Sequence, residues 1–217
     1  MPMISDKDRE HIKKMFSGKL PNPVKLVVFT QEFECQYCKE NREIAEELAM
    51  LSDKIAVQTY DFMKDQERAK DYGVDKIPAM VILGETDHHV KYYGVPAGYE
   101  FTSLIDDIID VSQRKTGLSE STKQKLKAID KPVHIQVFIT PTCPYCPRAV
   151  RTAHQFAMEN QLIHADMVES TEFPELSNKY SVMAVPKIVI NENVEFEGAM
   201  PEQIFLSKVE EALSSAS

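Results

Sequence analysis

Four cysteines stand in two tight pairs, Cys35-Gln36-Tyr37-Cys38 and Cys143-Pro144-Tyr145-Cys146, and these motifs contain every cysteine of the chain. Each follows an apolar, strand-like run and opens a helix-like one. Two thiols at this spacing on the first turn of a helix lie close enough to join as a disulfide and part again. The positive end of the helix dipole also favours the thiolate, the reactive form of the leading sulfur. The chemistry expected is therefore reversible exchange between a dithiol and a disulfide. The same four sulfurs could instead hold one zinc ion tetrahedrally. The surroundings of the two motifs decide between these readings.

Those surroundings repeat. Cys35 and Cys143 are 108 residues apart, and so are Pro78 and Pro186. Ahead of the motifs, Leu26-Val27-Val28-Phe29 matches Ile135-Gln136-Val137-Phe138 at an offset of 109, so the first copy carries one extra residue before Cys35. Ser5 and Ser119 stand where each could cap a leading helix. Gly94 and Gly198 precede closing apolar-periodic runs, Phe101 to Ile109 and Ile204 to Leu213. Helix, strand, cysteine pair, proline and glycine recurring together imply an internal duplication. The matched context favours redox chemistry over a zinc site, and no metal is expected.

Each copy reads as the element order αβαβαββα. Val24 to Thr30 and Val133 to Ile139 are β-branched runs with the character of buried strands. Ile44, Leu48 and Leu51, then Ala149, Ala153 and Phe156, recur at helical spacing behind the motifs. Second strands are expected near Ile55 to Tyr60 and Leu162 to Val168, with short helices at Gln66 to Tyr72 and Phe173 to Tyr180. The runs Ala79 to Leu83 and Lys187 to Ile190 follow the prolines, and His89 to Tyr93 and Val194 to Glu197 return antiparallel. This order gives an α/β fold of two tandem units, each a mixed four-stranded sheet flanked by helices. The polar stretch Ser112 to Gly117 marks the junction, dividing the chain into 1–116 and 117–217. His88-His89 reads as a hairpin surface.

A net charge of −9 argues against a nucleic-acid surface, and the basic cluster Lys123 to Lys131 reads as a solvated helix face. No apolar stretch reaches membrane length. Met1-Pro2-Met3-Ile4-Ser5 lacks an apolar signal core, so a cytoplasmic protein is expected. In that compartment paired cysteines are more often catalytic or metal-binding than structural. The seven glycines include no phosphate-binding run, so no nucleotide fingerprint is read, and no bound cofactor is expected.

With these residues in view, the chain resembles the thioredoxin-like superfamily, and its tandem layout is similar to that of the protein disulfide oxidoreductases, two-unit glutaredoxin-like proteins. The resemblance implies that Cys35 and Cys143 are the exposed nucleophiles and that Cys38 and Cys146 resolve the mixed disulfides. It also implies that Pro78 and Pro186 are cis. The preceding Ile77 and Val185 then offer backbone groups to an extended substrate segment. Tyr37 and Tyr145 either fill space beside the sulfurs or touch substrate. The implied partners are proteins carrying disulfides or dithiols, with a thioredoxin-reductase-like electron donor. Similar tandem units also form the N-terminal part of a flavoprotein that reduces peroxiredoxin. An electron-relay module for one such partner is therefore the alternative.

The chain departs from the superfamily pattern in informative places. It has no tryptophan before either motif, and Val28-Phe29 and Val137-Phe138 stand where thioredoxins carry a buried aspartate. Ala184 precedes Val185-Pro186, and Ala199 follows Gly198, which argues against a dedicated glutathione site. Arg148 beside the second motif favours a thiolate at Cys143; the first motif offers Lys39, but the preceding Glu32 and Glu34 oppose a thiolate at Cys35. Cys143 is thus expected to be the more reactive leading thiol.

Overall fold

The computed structural model describes residues 2–215. The first copy runs α1 (Asp6–Lys19), β1 (Val24–Thr30), α2 (Cys38–Ala49), β2 (Ile55–Asp61), α3 (Gln66–Asp71), β3 (Ala79–Leu83), β4 (Asp87–Tyr93) and α4 (Glu100–Gln113). The second runs α5 (Glu120–Lys127), β5 (Val133–Ile139), α6 (Cys146–Glu159), β6 (Ile163–Glu169), α7 (Pro174–Lys179), β7 (Lys187–Ile190), β8 (Val194–Glu197) and α8 (Glu202–Ser214). The order αβαβαββα holds in both.

The capping serines begin the leading helices as their chemistry dictates. Ser5 Oγ accepts from the Asp8 N–H at 3.2 Å, and Ser119 Oγ accepts from the Thr122 N–H at 3.3 Å, each satisfying a donor the helix leaves unpaired. In the first copy β1 pairs parallel with β2, from Val24 opposite Ile55 to Thr30 opposite Asp61. On its other edge β1 pairs antiparallel with β3, which pairs antiparallel with β4. The second copy repeats the pattern, with β5 between parallel β6 and antiparallel β7, and β8 beyond β7. Central strands with both faces covered read as apolar runs, and β1 and β5 are buried along most of their length. Aromatic rings close the cores: Phe29 packs on Tyr60 and Tyr72, and Phe205 meets Phe156 and Phe196 edge-on.

The described residues form two compact units. Unit 1 takes the residues up to Asp87, then Lys91–Val95 and Ile105–Lys115; unit 2 takes His88–Val90, Pro96–Leu104 and the chain from Thr116 onward. One local reading changes, and another gains a partner. Ser112 and Gln113 belong to α4, and Ser112 is wholly buried, its hydroxyl donating to the Asn22 carbonyl at 2.6 Å and accepting from the Asn22 N–H at 3.1 Å. His88 and His89 are strand residues, only half exposed, and His89 stacks on His164 with ring centroids 4.0 Å apart. A polar residue looks solvent-facing in sequence; a long-range partner decides whether it is.

Candidate redox sites at the helix starts

In both copies the central strand ends just before the motif, and the second cysteine is the first helical residue. In unit 1, β1 ends at Thr30 and the loop reaches Cys35 through Glu34, whose φ of 60° lies in the left-handed region. A non-glycine residue there is strained, and this turn stands in the loop that carries the extra residue of the first copy. Cys35 and Cys38 are disulfide-bonded with Cα atoms 5.5 Å apart. Cys38 is buried and Cys35 half-exposed. Beside Cys35 opens a cleft of about 390 Å³ lined by Thr30, Glu32, Lys39, Arg42 and Asp61. The Asp61 carboxyl is held below its ordinary value of 3.8, chiefly by the Lys64 backbone N–H, with the Lys64 ammonium and the Met63 N–H adding to it. This keeps an anion in the wall of the cleft that also carries Lys39 and Arg42.

In unit 2, Cys143 and Cys146 are disulfide-bonded, again with Cα atoms 5.5 Å apart. The Cys146 backbone N–H donates to Cys143 Sγ at 3.1 Å. This is one of the donors a helix leaves free at its start, and here the sulfur takes it. Tyr145, at the cap position, makes no side-chain cap bond. Cys143 Sγ lies 3.7 Å from the Val185 carbonyl oxygen. Here the leading cysteine is itself only 7% exposed, so the second centre is more covered than the first.

The Ile77-Pro78 and Val185-Pro186 peptide bonds are cis. Strand register places the prolines: Phe29 faces Ala79 and Phe138 faces Lys187, so each proline stands level with the end of the central strand, where the motif loop departs. Lys187, directly after Pro186, is buried; its ammonium donates to the carbonyls of Tyr180 and Ser181 and pairs with Glu195 at 2.7 Å. Tyr37 is 36% exposed and Tyr145 71%. Arg148 points to solvent, and Lys39 pairs with Glu43 at 3.7 Å. Lys187 and the Cys146 donor escaped sequence reading, because each depends on a long-range or main-chain contact. Among the described residues no group of three or more His, Cys, Asp or Glu side chains could hold a metal ion. No helix among them is long and apolar enough to cross a membrane.

A family model described as a thioredoxin domain matches residues 133–211. The crystal structure of a protein disulfide oxidoreductase from Aeropyrum pernix superposes with a TM-score of 0.91 and 32% identity, covering 97% of this chain and 94% of that one. The N-terminal domain of alkylhydroperoxide reductase AhpF from Enterococcus faecalis superposes with a TM-score of 0.88 and 25% identity, covering 95% and 99%. The corresponding alkyl hydroperoxide reductase protein of Staphylococcus aureus is 29% identical over 79% of this chain and 31% of its own length. A protein of Bacillus subtilis named NADH dehydrogenase is 27% identical over 95% of this chain and 38% of its own length. The chain thus spans about a third of the length of the curated relatives it matches.

Proposed function

The chain belongs to the protein disulfide oxidoreductases built from two thioredoxin-like units, and on that premise we propose that it exchanges disulfides in protein clients through both motifs. Cys35 and Cys143 attack, and Cys38 and Cys146 resolve. A thiolate at Cys143 attacks one sulfur of the client disulfide; the client's other sulfur leaves as a thiolate and takes up a proton. Cys146, once deprotonated, then attacks Cys143 Sγ, expelling the second client thiolate and closing the enzyme disulfide. Two electrons and two protons pass to the client, and the reverse sequence oxidises a client dithiol. Ile77-Pro78 and Val185-Pro186 receive an extended client segment beside the sulfurs. No bound cofactor takes part. A thioredoxin-reductase-like protein restores the dithiols, in the cytoplasm, with 1–116 and 117–217 as the two repeats.

The observation that supports a general oxidoreductase is the completeness of both centres: two closed cysteine pairs at two helix starts, each level with a cis proline. Reduction of insulin by dithiothreitol tests it. Both single-centre forms, Cys35→Ser with Cys38→Ser and Cys143→Ser with Cys146→Ser, should accelerate precipitation over the uncatalysed rate; if neither does, the reading falls. The second reading is a dedicated relay between a flavoprotein reductase and a peroxiredoxin, favoured by similarity to the AhpF domain over nearly the whole chain. A relay would pass electrons to peroxiredoxin and leave insulin untouched.

A further inference from the structure

The loop after the penultimate element differs between the copies. Gly94 and Gly198 occupy equivalent places, donating their N–H groups to the Pro78 and Pro186 carbonyls at 3.0 and 2.8 Å. From Gly94 five residues lead to α4; from Gly198 three lead to α8. The longer loop carries Gly98 and Tyr99, and its Pro96–Leu104 stretch is part of unit 2. There the Tyr99 N–H donates to the Pro141 carbonyl at 3.1 Å. Pro141 is two residues ahead of Cys143, so their Cα atoms are within about 7.6 Å by chain geometry alone. Gly98 has a φ of +60°, and a Cβ there would sit 2.2 Å from the Pro141 oxygen. Only glycine lets this loop lie flat against the backbone that enters the second motif.

The side chain this contact delivers is not used in a core: Tyr99 is 54% exposed. Two other large apolar side chains are exposed on the segments framing the same disulfide. Tyr145 sits inside the motif, and Met183, 90% exposed, stands two residues before Val185, whose carbonyl faces Cys143 Sγ. Single exposed apolar residues are ordinary; here three stand on segments linked by sequence or main-chain contact to one covered sulfur.

We propose that Tyr99 is a specificity residue of the second centre, forming with Tyr145 and Met183 an apolar rim that selects extended polypeptide disulfides flanked by an aromatic or aliphatic side chain. This rests on the oxidoreductase reading above. The test uses the full chain carrying Cys35→Ser and Cys38→Ser, with dithiothreitol as reductant. Its substrates are two disulfide-linked peptides identical except for Phe or Ser beside the cysteine. This parent should favour the Phe peptide in kcat/KM by about five- to tenfold, the range of one good aromatic contact. Tyr99→Ser should bring that ratio close to one, and Tyr99→Phe should keep it. Gly98→Ala should lower the ratio too, by lifting the loop off Pro141; a thermal melt of each variant excludes unfolding as the cause. A parent with no preference, or a Tyr99→Ser variant that keeps the preference, overturns the proposal. A parent that reduces neither peptide overturns the oxidoreductase reading itself, and the rim with it.

Discussion

Removing the resolving sulfur of the second centre should stop the enzyme halfway. In a chain whose first pair is serine, Cys146→Ser leaves Cys143 able to attack a client but unable to release it. The structure sets the size of the effect. The two cysteine Cα atoms are 5.5 Å apart, and one thiol confined to a sphere of that radius has a local concentration of roughly 2 M. Dithiothreitol at about 1 mM must then do from solution what Cys146 does from its neighbour. Release of the mixed disulfide should therefore slow by about a thousandfold, and more where the native orientation is favourable. The assay is quench with acid at timed intervals, followed by intact-mass measurement of the client-linked enzyme. With Cys146→Ser the adduct should dominate; with Cys143→Ser it should be scarce, because the wholly buried Cys146 is the harder sulfur to reach. Accumulation on Cys143→Ser, or turnover by Cys146→Ser within tenfold of the parent, would refute the assignment of roles.

Three further outcomes are expected. Ser112→Ala should lower stability by about 1 kcal/mol in urea melts, because it removes two hydrogen bonds to the half-buried backbone of Asn22. Lys187→Met should destabilise unit 2 by ~2 kcal/mol. It should also slow exchange at the second centre more than at the first, because it releases the Tyr180–Ser181 turn from the cis-proline strand. Asp61→Asn should cost stability at neutral pH, and the gap to wild type should close under acid conditions. The Asp61 carboxyl is depressed below 3.8 in the folded chain, so its contribution is complete above that value and is lost as pH falls through the folded one. Urea midpoints measured from pH 7 to pH 3 check the sign.

Much of this architecture is legible in the residues. The β-branched runs at Val24–Thr30 and Val133–Ile139 become strands with those bounds, because a central strand buried on both faces has no alternation to blur its ends. The helices behind the motifs follow from apolar spacing, and the 108-residue interval aligned prolines that prove to be cis in both copies. What escaped depends on contacts that local patterns do not encode. Ser112 reads as linker because serine, lysine and glycine surround it, yet its hydroxyl is committed to Asn22, ninety residues earlier. Tyr99 carries no motif, and only the distance between Gly98 and Pro141 gives it a place. Asp61 lies on β2, and only the parallel pairing of β1 with β2, which sets it opposite Thr30, brings it to the cleft at Cys35.

The donor that meets Cys143 is a main-chain group. No side-chain replacement at the intervening positions can delete it, and it holds no proton to lose or gain across physiological pH. Support for negative charge on that sulfur is thus inherited with the helix itself, not with any letter of the motif. The Pro-Tyr pair between the two cysteines can therefore vary, tuning what approaches the sulfur without dismantling what supports its charge.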